Sequence, residues 1–285
     1  MSEVYLNGAF VPLDAAKVSV MDRGFLFGDG VYEVVPVYEG HPRRLGAHLA
    51  RLSRSLAAIG LANPLTEAQW REAAVVLLAG GGDRSLYIQV TRGTAPDREH
   101  RFPAELHPTV LAMARPLAPR RAGIAETGVA AVTRPDPRWQ RCDIKSISLL
   151  AAVLARQEAE ELGAEEAILI RDGLANEGSS SNIFLVRAGE VSTPPLSQNL
   201  LAGITRGLVV ELAAGAGIPM HERAITAAEL ADADELWITS SMREVLPVTR
   251  LDGVPIGAGV PGPLWVRMDG LYQGYKDRLK VGHED

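Results

Sequence analysis

The order of helical and strand-like segments, mixed but not in strict alternation, constrains the fold of this chain more than any other feature. Residues 4–11 read as a hairpin, because Asn7-Gly8 lies between two short apolar runs and suits a tight turn. VYEVVPVY (31–38) is rich in β-branched and aromatic residues and ends at Glu39-Gly40, which predicts a strand. Leu45, Leu49, Leu52, Leu56 and Ile59 then recur at three- and four-residue steps, the period of an amphipathic helix. A second helix is expected from Thr66 to the glycines at 80–82. Strands at 85–92 and 108–115 follow with only a polar loop between them, a stretch holding Arg92, Arg98, His100 and Arg101. RPLAPRRAG (115–123) lacks periodicity and reads as a linker. Beyond it, strands are predicted at 128–134, 165–172, 183–186 and 235–240, and helices at 147–162, 205–215 and 263–280. This order predicts an α+β protein with mixed, largely antiparallel sheets flanked by helices. A smaller domain is expected at 1–118 and a larger one at 119–285.

Composition narrows the setting. A chain of 285 residues, 47% hydrophobic and 22% charged, can bury a large core without disulfides and is not wholly disordered. A net charge of −6 argues against a general nucleic-acid or anionic-membrane surface. The single cysteine, Cys142, excludes an intrachain disulfide and fits a reducing compartment. The start lacks a basic-then-apolar signal pattern and no apolar run approaches a membrane span, so a soluble cytoplasmic protein is expected. No zinc-type spacing, P-loop or dinucleotide fingerprint occurs, so no metal site is predicted.

Of 29 basic residues only four are lysines (Lys17, Lys145, Lys276 and Lys280). Lys145 is the only one between positions 18 and 275. It lies between Ile144 and an apolar helix, where it could snorkel to solvent or pair with Asp143. The other reading is a Schiff-base lysine, since a partly buried amine loses its proton and can add to an aldehyde, which a guanidinium cannot. NEGSSSN (176–182) is either a capped polar turn or a carboxylate, Glu177, placed to keep a pyridine nitrogen protonated. Its serines could orient the ring or a phosphate. LAGITR (201–206) leads into a helix whose start, with Gly203 and Thr205, suits a phosphate. Ser240 and Ser241 could add hydroxyls, and Arg51, which breaks the apolar stripe of its helix, a cation.

Taken together and in order, these segments resemble the fold-type IV pyridoxal phosphate enzymes, most closely the D-amino acid aminotransferases. The resemblance rests on DRGFLFGDGVYEVVPVY (22–38), HLARL (48–52), LYIQVTRG (86–93), RCDIKSISLLAAVLA (141–155), EAILIRDG (166–173), EGSSSNIF (177–184), LAGITR (201–206) and ELWITSS (235–241). It implies pyridoxal 5′-phosphate in the cleft between the domains, with Lys145 as its covalent partner and Glu177 at the pyridine nitrogen. It further implies Arg51, Ile204, Thr205, Ser240 and Ser241 around the phosphate and Leu201 against the ring. Arg98 and His100, with Tyr32, match the group that binds the substrate α-carboxylate, where a guanidinium, an imidazole and a phenol converge. Asp97 departs from the pattern and could pair with Arg98; Arg92 and Arg101 are the alternatives within that loop. The implied reaction is transamination between a D-amino acid and a 2-oxo acid in a homodimer, Arg98 and His100 reaching the neighbour's site. Alternatives are a branched-chain L-amino acid aminotransferase or an aminodeoxychorismate lyase of the same fold, or a catalytically silent cofactor-binding module. Cys142 and the histidines at 41, 48, 107, 221 and 283 read as packing or surface residues.

Overall fold

A computed structural model describes residues 3–105 and 107–283. The chain forms two compact units, Met1–Ala118 with Ile144–Leu149 and Arg278–Asp285, and Pro119–Asp143 with Leu150–Asp277. The first unit holds strands β1 (Glu3–Leu6), β2 (Ala9–Pro12), β3 (Gly30–Tyr38), β4 (His41–Pro42), β5 (Arg84–Thr91) and β6 (Thr109–Pro116), and helices α1 (Arg23–Phe27), α2 (Leu45–Ala58) and α3 (Glu67–Leu78). Its strands form one antiparallel sheet in the order β2-β1-β6-β5-β3-β4.

Local chemistry accounts for these elements. Asn7 and Gly8 both take positive φ, 50° and 95°, which lets two residues close the first hairpin. Thr66 and Gln69 form a reciprocal capping box at the start of α3. The apolar stripe of α2 (Leu45, Leu49, Leu52, Leu56) packs on Val31, Val35 and Val37 of β3 and on Trp70 and Leu77 of α3. The helix expected over 147–162 begins only at Leu150. Residues 145–147 instead run along the edge of β3: Tyr32 N donates to the carbonyl of Lys145 and Ile147 N to that of Gly30, both at 3.0 Å. Two sheet-like hydrogen bonds there replace the helical ones.

The second unit holds α4 (Ile124–Thr127), β7 (Val129–Pro135), α5 (Leu150–Glu161), β8 (Glu166–Arg171), β9 (Leu174–Gly178), β10 (Asn182–Arg187) and β11 (Glu190–Thr193). It continues with α6 (Ile204–Gly215), β12 (Met220–Glu222), α7 (Ala227–Ala231), β13 (Glu235–Ser240), β14 (Glu244–Leu251), β15 (Val254–Pro255) and, as far as Asp277, α8 (Pro263–Lys280). The sheet runs β12-β11-β10-β13-β14-β7-β8-β9, with β15 on β14. It is mixed: β7 is parallel to both β8 and β14, and β11 to β12. One face of apolar residues, Ile168, Ile183, Leu185 and Ile238 among them, forms one core, while Phe184, Val186 and Trp237 join Leu208, Trp265 and Met268 in another. Glu177, read from sequence within a polar turn, sits on a strand, opposite Leu169 of β8. No helix among the described residues is long and apolar enough to cross a membrane.

Candidate active site

In the first unit, Lys145 is half-buried and its Nζ lies 4.4 Å from the centroid of the Tyr32 ring. Backbone pairing of 145–147 with β3 sets that placement. The amide of Lys145 also donates to Ser55 Oγ of α2 at 3.2 Å. Asp143, the alternative partner from sequence, accepts two hydrogen bonds from Arg141, at 2.9 and 3.0 Å. Tyr32 lies beside Tyr87 of β5, ring centroids 5.9 Å apart, and Tyr87 donates to Gln89 Oε1.

Arg51 is buried, and Glu33 of β3 takes its fork: Nε to Oε1 at 2.7 Å and Nη2 to Oε2 at 2.8 Å. His48, one helical turn earlier, approaches the same Oε2 through Nδ1 at 2.7 Å. From sequence His48 reads as packing and Glu33 goes unnoticed, although the three-residue spacing of His48 and Arg51 puts both on one helix face. Burial alone would raise the Glu33 carboxyl, but the Arg51 and His48 bonds hold it down at about 2. Burial presses the His48 imidazole towards neutrality, to about 4, against the pull of Glu33.

Arg98 and His100 are exposed and share one aromatic neighbour, Phe27 at the end of α1. The Arg98 guanidinium lies 5.0 Å from the Phe27 ring centroid and the His100 ring packs edge-on at 5.4 Å. No ion pair among the described residues joins Asp97 to Arg98. The two alternatives in this loop are otherwise engaged: Arg101 pairs with Glu99, and Arg92 is buried with bonds to Asp29 and the carbonyls of Ile59 and Gly60.

In the second unit, the Glu177 carboxylate is buried and bound at both oxygens. Oε1 accepts from Arg138 at 2.6 Å, and Oε2 from the Leu201 amide at 3.0 Å and Asn182 Nδ2 at 3.3 Å. Arg138 is itself gripped by Asp136 through Nε and Nη2. Burial opposes the Arg138 charge, but Asp136 and Glu177 outweigh it and keep the guanidinium protonated more firmly than usual. Leu201 thus meets Glu177 through its backbone N–H. Asn182 also donates to the Leu201 carbonyl, and a Cβ on Gly203 would meet Asn182 Oδ1 at 2.0 Å, so a side chain there would displace the Asn182 amide. Gly203, the N-cap of α6, makes no side-chain cap hydrogen bond, and Ile204 and Thr205 follow in the first turn. Ser240 ends β13 and accepts from the Arg243 amide; Ser241 follows in the turn, half-buried.

The serine run after Glu177 is engaged by a second buried carboxylate. Ser179 and Ser181 turn their hydroxyls onto the buried Glu166 of β8, which also pairs with Arg243. Burial pushes the Glu166 carboxyl up, but Arg243 and the two hydroxyls hold it below the usual carboxylate range. These serines thus fix the turn that follows Glu177. The signal is hidden in the sequence because Glu166 and Arg243 are far apart there and look like ordinary surface charges.

A model of the family described as amino-transferase class IV matches residues 30–251. The chain belongs to the class IV aminotransferases. Class IV aminotransferases depend on pyridoxal phosphate. A D-alanine aminotransferase of Bacillus licheniformis is 44% identical over 265 residues, covering 92% of this chain and 93% of the relative. One from Staphylococcus aureus (strain N315) is 39% identical over 281 residues, 96% and 98% of the two chains. The branched-chain aminotransferase of the archaeon Thermoproteus uzoniensis, solved with norvaline, matches with a TM-score of 0.86 and 29% identity, over 99% of this chain and 96% of that one. The residues of this aminotransferase suit the cofactor's chemistry. A buried carboxylate paired with a guanidinium complements a protonated ring nitrogen, and a helix start without a side-chain cap complements a phosphate.

Proposed function

We propose that this aminotransferase exchanges an amino group between a D-amino acid and a 2-oxo acid, of the type D-alanine plus 2-oxoglutarate giving pyruvate plus D-glutamate. The observation that carries the substrate reading is the joint packing of Arg98 and His100 on Phe27, which brings two carboxylate donors onto one exposed loop. D-alanine aminotransferases at 38–44% identity over most of the chain support the same reading.

In this proposal Lys145 is the residue that holds the cofactor and then moves the proton from the substrate Cα, as base and then acid. Bound pyridoxal phosphate supplies a place for the electron pair left behind when that proton departs. Glu177 keeps a proton on the ring nitrogen, and Arg138 holds the Glu177 carboxylate in place at 2.6 Å. Leu201 covers the ring while its N–H fixes Glu177. Arg51, its fork oriented by Glu33, joins Ile204, Thr205, Ser240 and Ser241 around the phosphate. Tyr32, Arg98 and His100 bind the α-carboxylate.

Exposure of Arg98 and His100, together with that of Phe25 (76%) and Phe102 (57%), supports a homodimer in which this loop serves the neighbouring subunit. The single buried cysteine fits a cytoplasmic enzyme. The test is a panel of D- and L-amino acids with 2-oxoglutarate, the products resolved on a chiral column. D-alanine is expected to give pyruvate and D-glutamate, and Lys145→Ala to lose turnover by at least a thousandfold. Activity confined to L-leucine would replace this reading with the branched-chain one.

A further inference from the structure

The segment DRGFLFGD (22–29) contains no residue assigned above to cofactor or substrate, yet it is built around the loop that bears Arg98 and His100. Arg23, 3% exposed, gathers three consecutive carbonyls of that loop on one guanidinium. Nη1 donates to the carbonyl of Glu99 at 2.5 Å and to that of Arg101 at 3.4 Å, and Nη2 to that of His100 at 3.1 Å. Its Nε is fixed by Asp29 Oδ2 at 2.9 Å.

The same Asp29 oxygen accepts from Arg92 Nε at 2.8 Å, and the Arg92 guanidinium stacks 3.6 Å from the Phe102 ring centroid, where the loop ends. The near end of the loop is fixed by Asp22, which forms a β-bridge with Thr94 and accepts from the hydroxyls of Thr91 and Thr109. Phe27 closes the arrangement: Arg23, Arg98 and His100 all face its ring.

A loop with exposed side chains has little burial to define it, so its conformation depends on where its backbone carbonyls find donors. Here one buried guanidinium satisfies three of them, and one carboxylate holds that guanidinium and the one stacked on Phe102 together. We propose that Arg23, held by Asp29, is a positioning residue for substrate recognition: it fixes the backbone from which Arg98 and His100 reach the α-carboxylate. This rests on the assignment of Arg98 and His100 to that carboxylate. Arg23 touches no substrate in this scheme. Its effect passes through the geometry of two others, so its removal weakens ground-state and transition-state binding alike.

The test uses holoenzyme variants Arg23→Gln, Arg23→Lys, Asp29→Asn and Phe27→Ala, assayed with D-alanine and 2-oxoglutarate. Arg23→Gln and Asp29→Asn are expected to raise KM for both substrates at least tenfold while kcat falls less than threefold. The visible absorption of the bound cofactor should be unchanged. Arg23→Lys keeps the charge but not the fork and should recover only part of the loss. Trypsin should cleave after Arg98 and Arg101 at least fivefold faster in Arg23→Gln, read by mass spectrometry. Should Arg23→Gln fail to fold, Phe27→Ala removes only the shared ring and should still raise both KM and the cleavage rate. Arg98→Ala and His100→Ala separate the two claims. If they leave KM unchanged, the carboxylate assignment fails whatever Arg23 does. If they raise KM while Arg23→Gln and Asp29→Asn, or Phe27→Ala in their place, leave KM and cleavage at wild-type values, the positioning role is overturned.

Discussion

His48 is enclosed by groups that decide its protonation for it. Folded, it binds a proton only near pH 4, against 6.5 for an unconstrained imidazole, because burial outweighs the attraction of Glu33. Between those values the unfolded chain takes up a proton that the folded chain refuses, so stability falls as pH drops through this window. The loss is on the order of 3 kcal/mol. Glu33 acts lower on the scale: its stabilisation is full above pH 4.5 and disappears as pH falls towards 2. His48→Asn, which can still donate to Glu33, should flatten the dependence of Tm on pH between 6.5 and 4. An unchanged slope would place the titrating group elsewhere.

At this scale the sequence was most readable where a residue type is chemically irreplaceable. Lys145 stood out among arginines, and Glu177 stood out by its position before the serines. The residues that hold other side chains and loops in place did not. Arg138, Glu166, Glu33 and Arg23 resemble ordinary surface charges until the fold brings their partners close, and those partners lie far away in the chain: Arg138 and Glu177 are 39 residues apart, Arg23 and Glu99 76.

Elements with a local cause could be read directly. The Asn7-Gly8 hairpin, the stripe of α2 and the Thr66 cap each depend on neighbours within a few residues. Thr66→Ala removes one half of the capping box and should cost about 1 kcal/mol, measurable by urea denaturation. Elements created by pairing were not legible. Residues 174–178 form β9 because β8 lies alongside, and 145–147 extend along β3 although the helix is expected to start at 147. Gly93, where β5 gives way to the loop that bears Arg98 and His100, carries φ of 84°, and a Cβ there would meet the His107 carbonyl at 1.7 Å. Gly93→Ala should therefore raise KM at least tenfold and lower Tm, since both strain and collision displace the start of the loop. A variant with wild-type KM and Tm would show that the loop start tolerates the displacement.

For the whole molecule, the expected assembly is a dimer. Besides the exposed loop, α5 presents Leu150, Val153 and Leu154 outward, each more than half exposed, an apolar surface that a lone chain would leave in water. Size-exclusion chromatography with light scattering should give twice the 30.5 kDa chain mass, and a monomer that keeps full activity would exclude a shared substrate loop.

The grouping of Ile144–Leu149 with the first unit bears on how the protein is made. During synthesis the first 118 residues emerge with the backbone of Gly30 and Tyr32 lacking the strand-like partner that residues 145–147 later supply. The nascent first unit thus has an open β edge, and the Lys145 amine arrives only with the segment that closes it. A ribosome-stalled chain ending before residue 144 should be prone to pairing with other strands, and one extended past residue 149 should not.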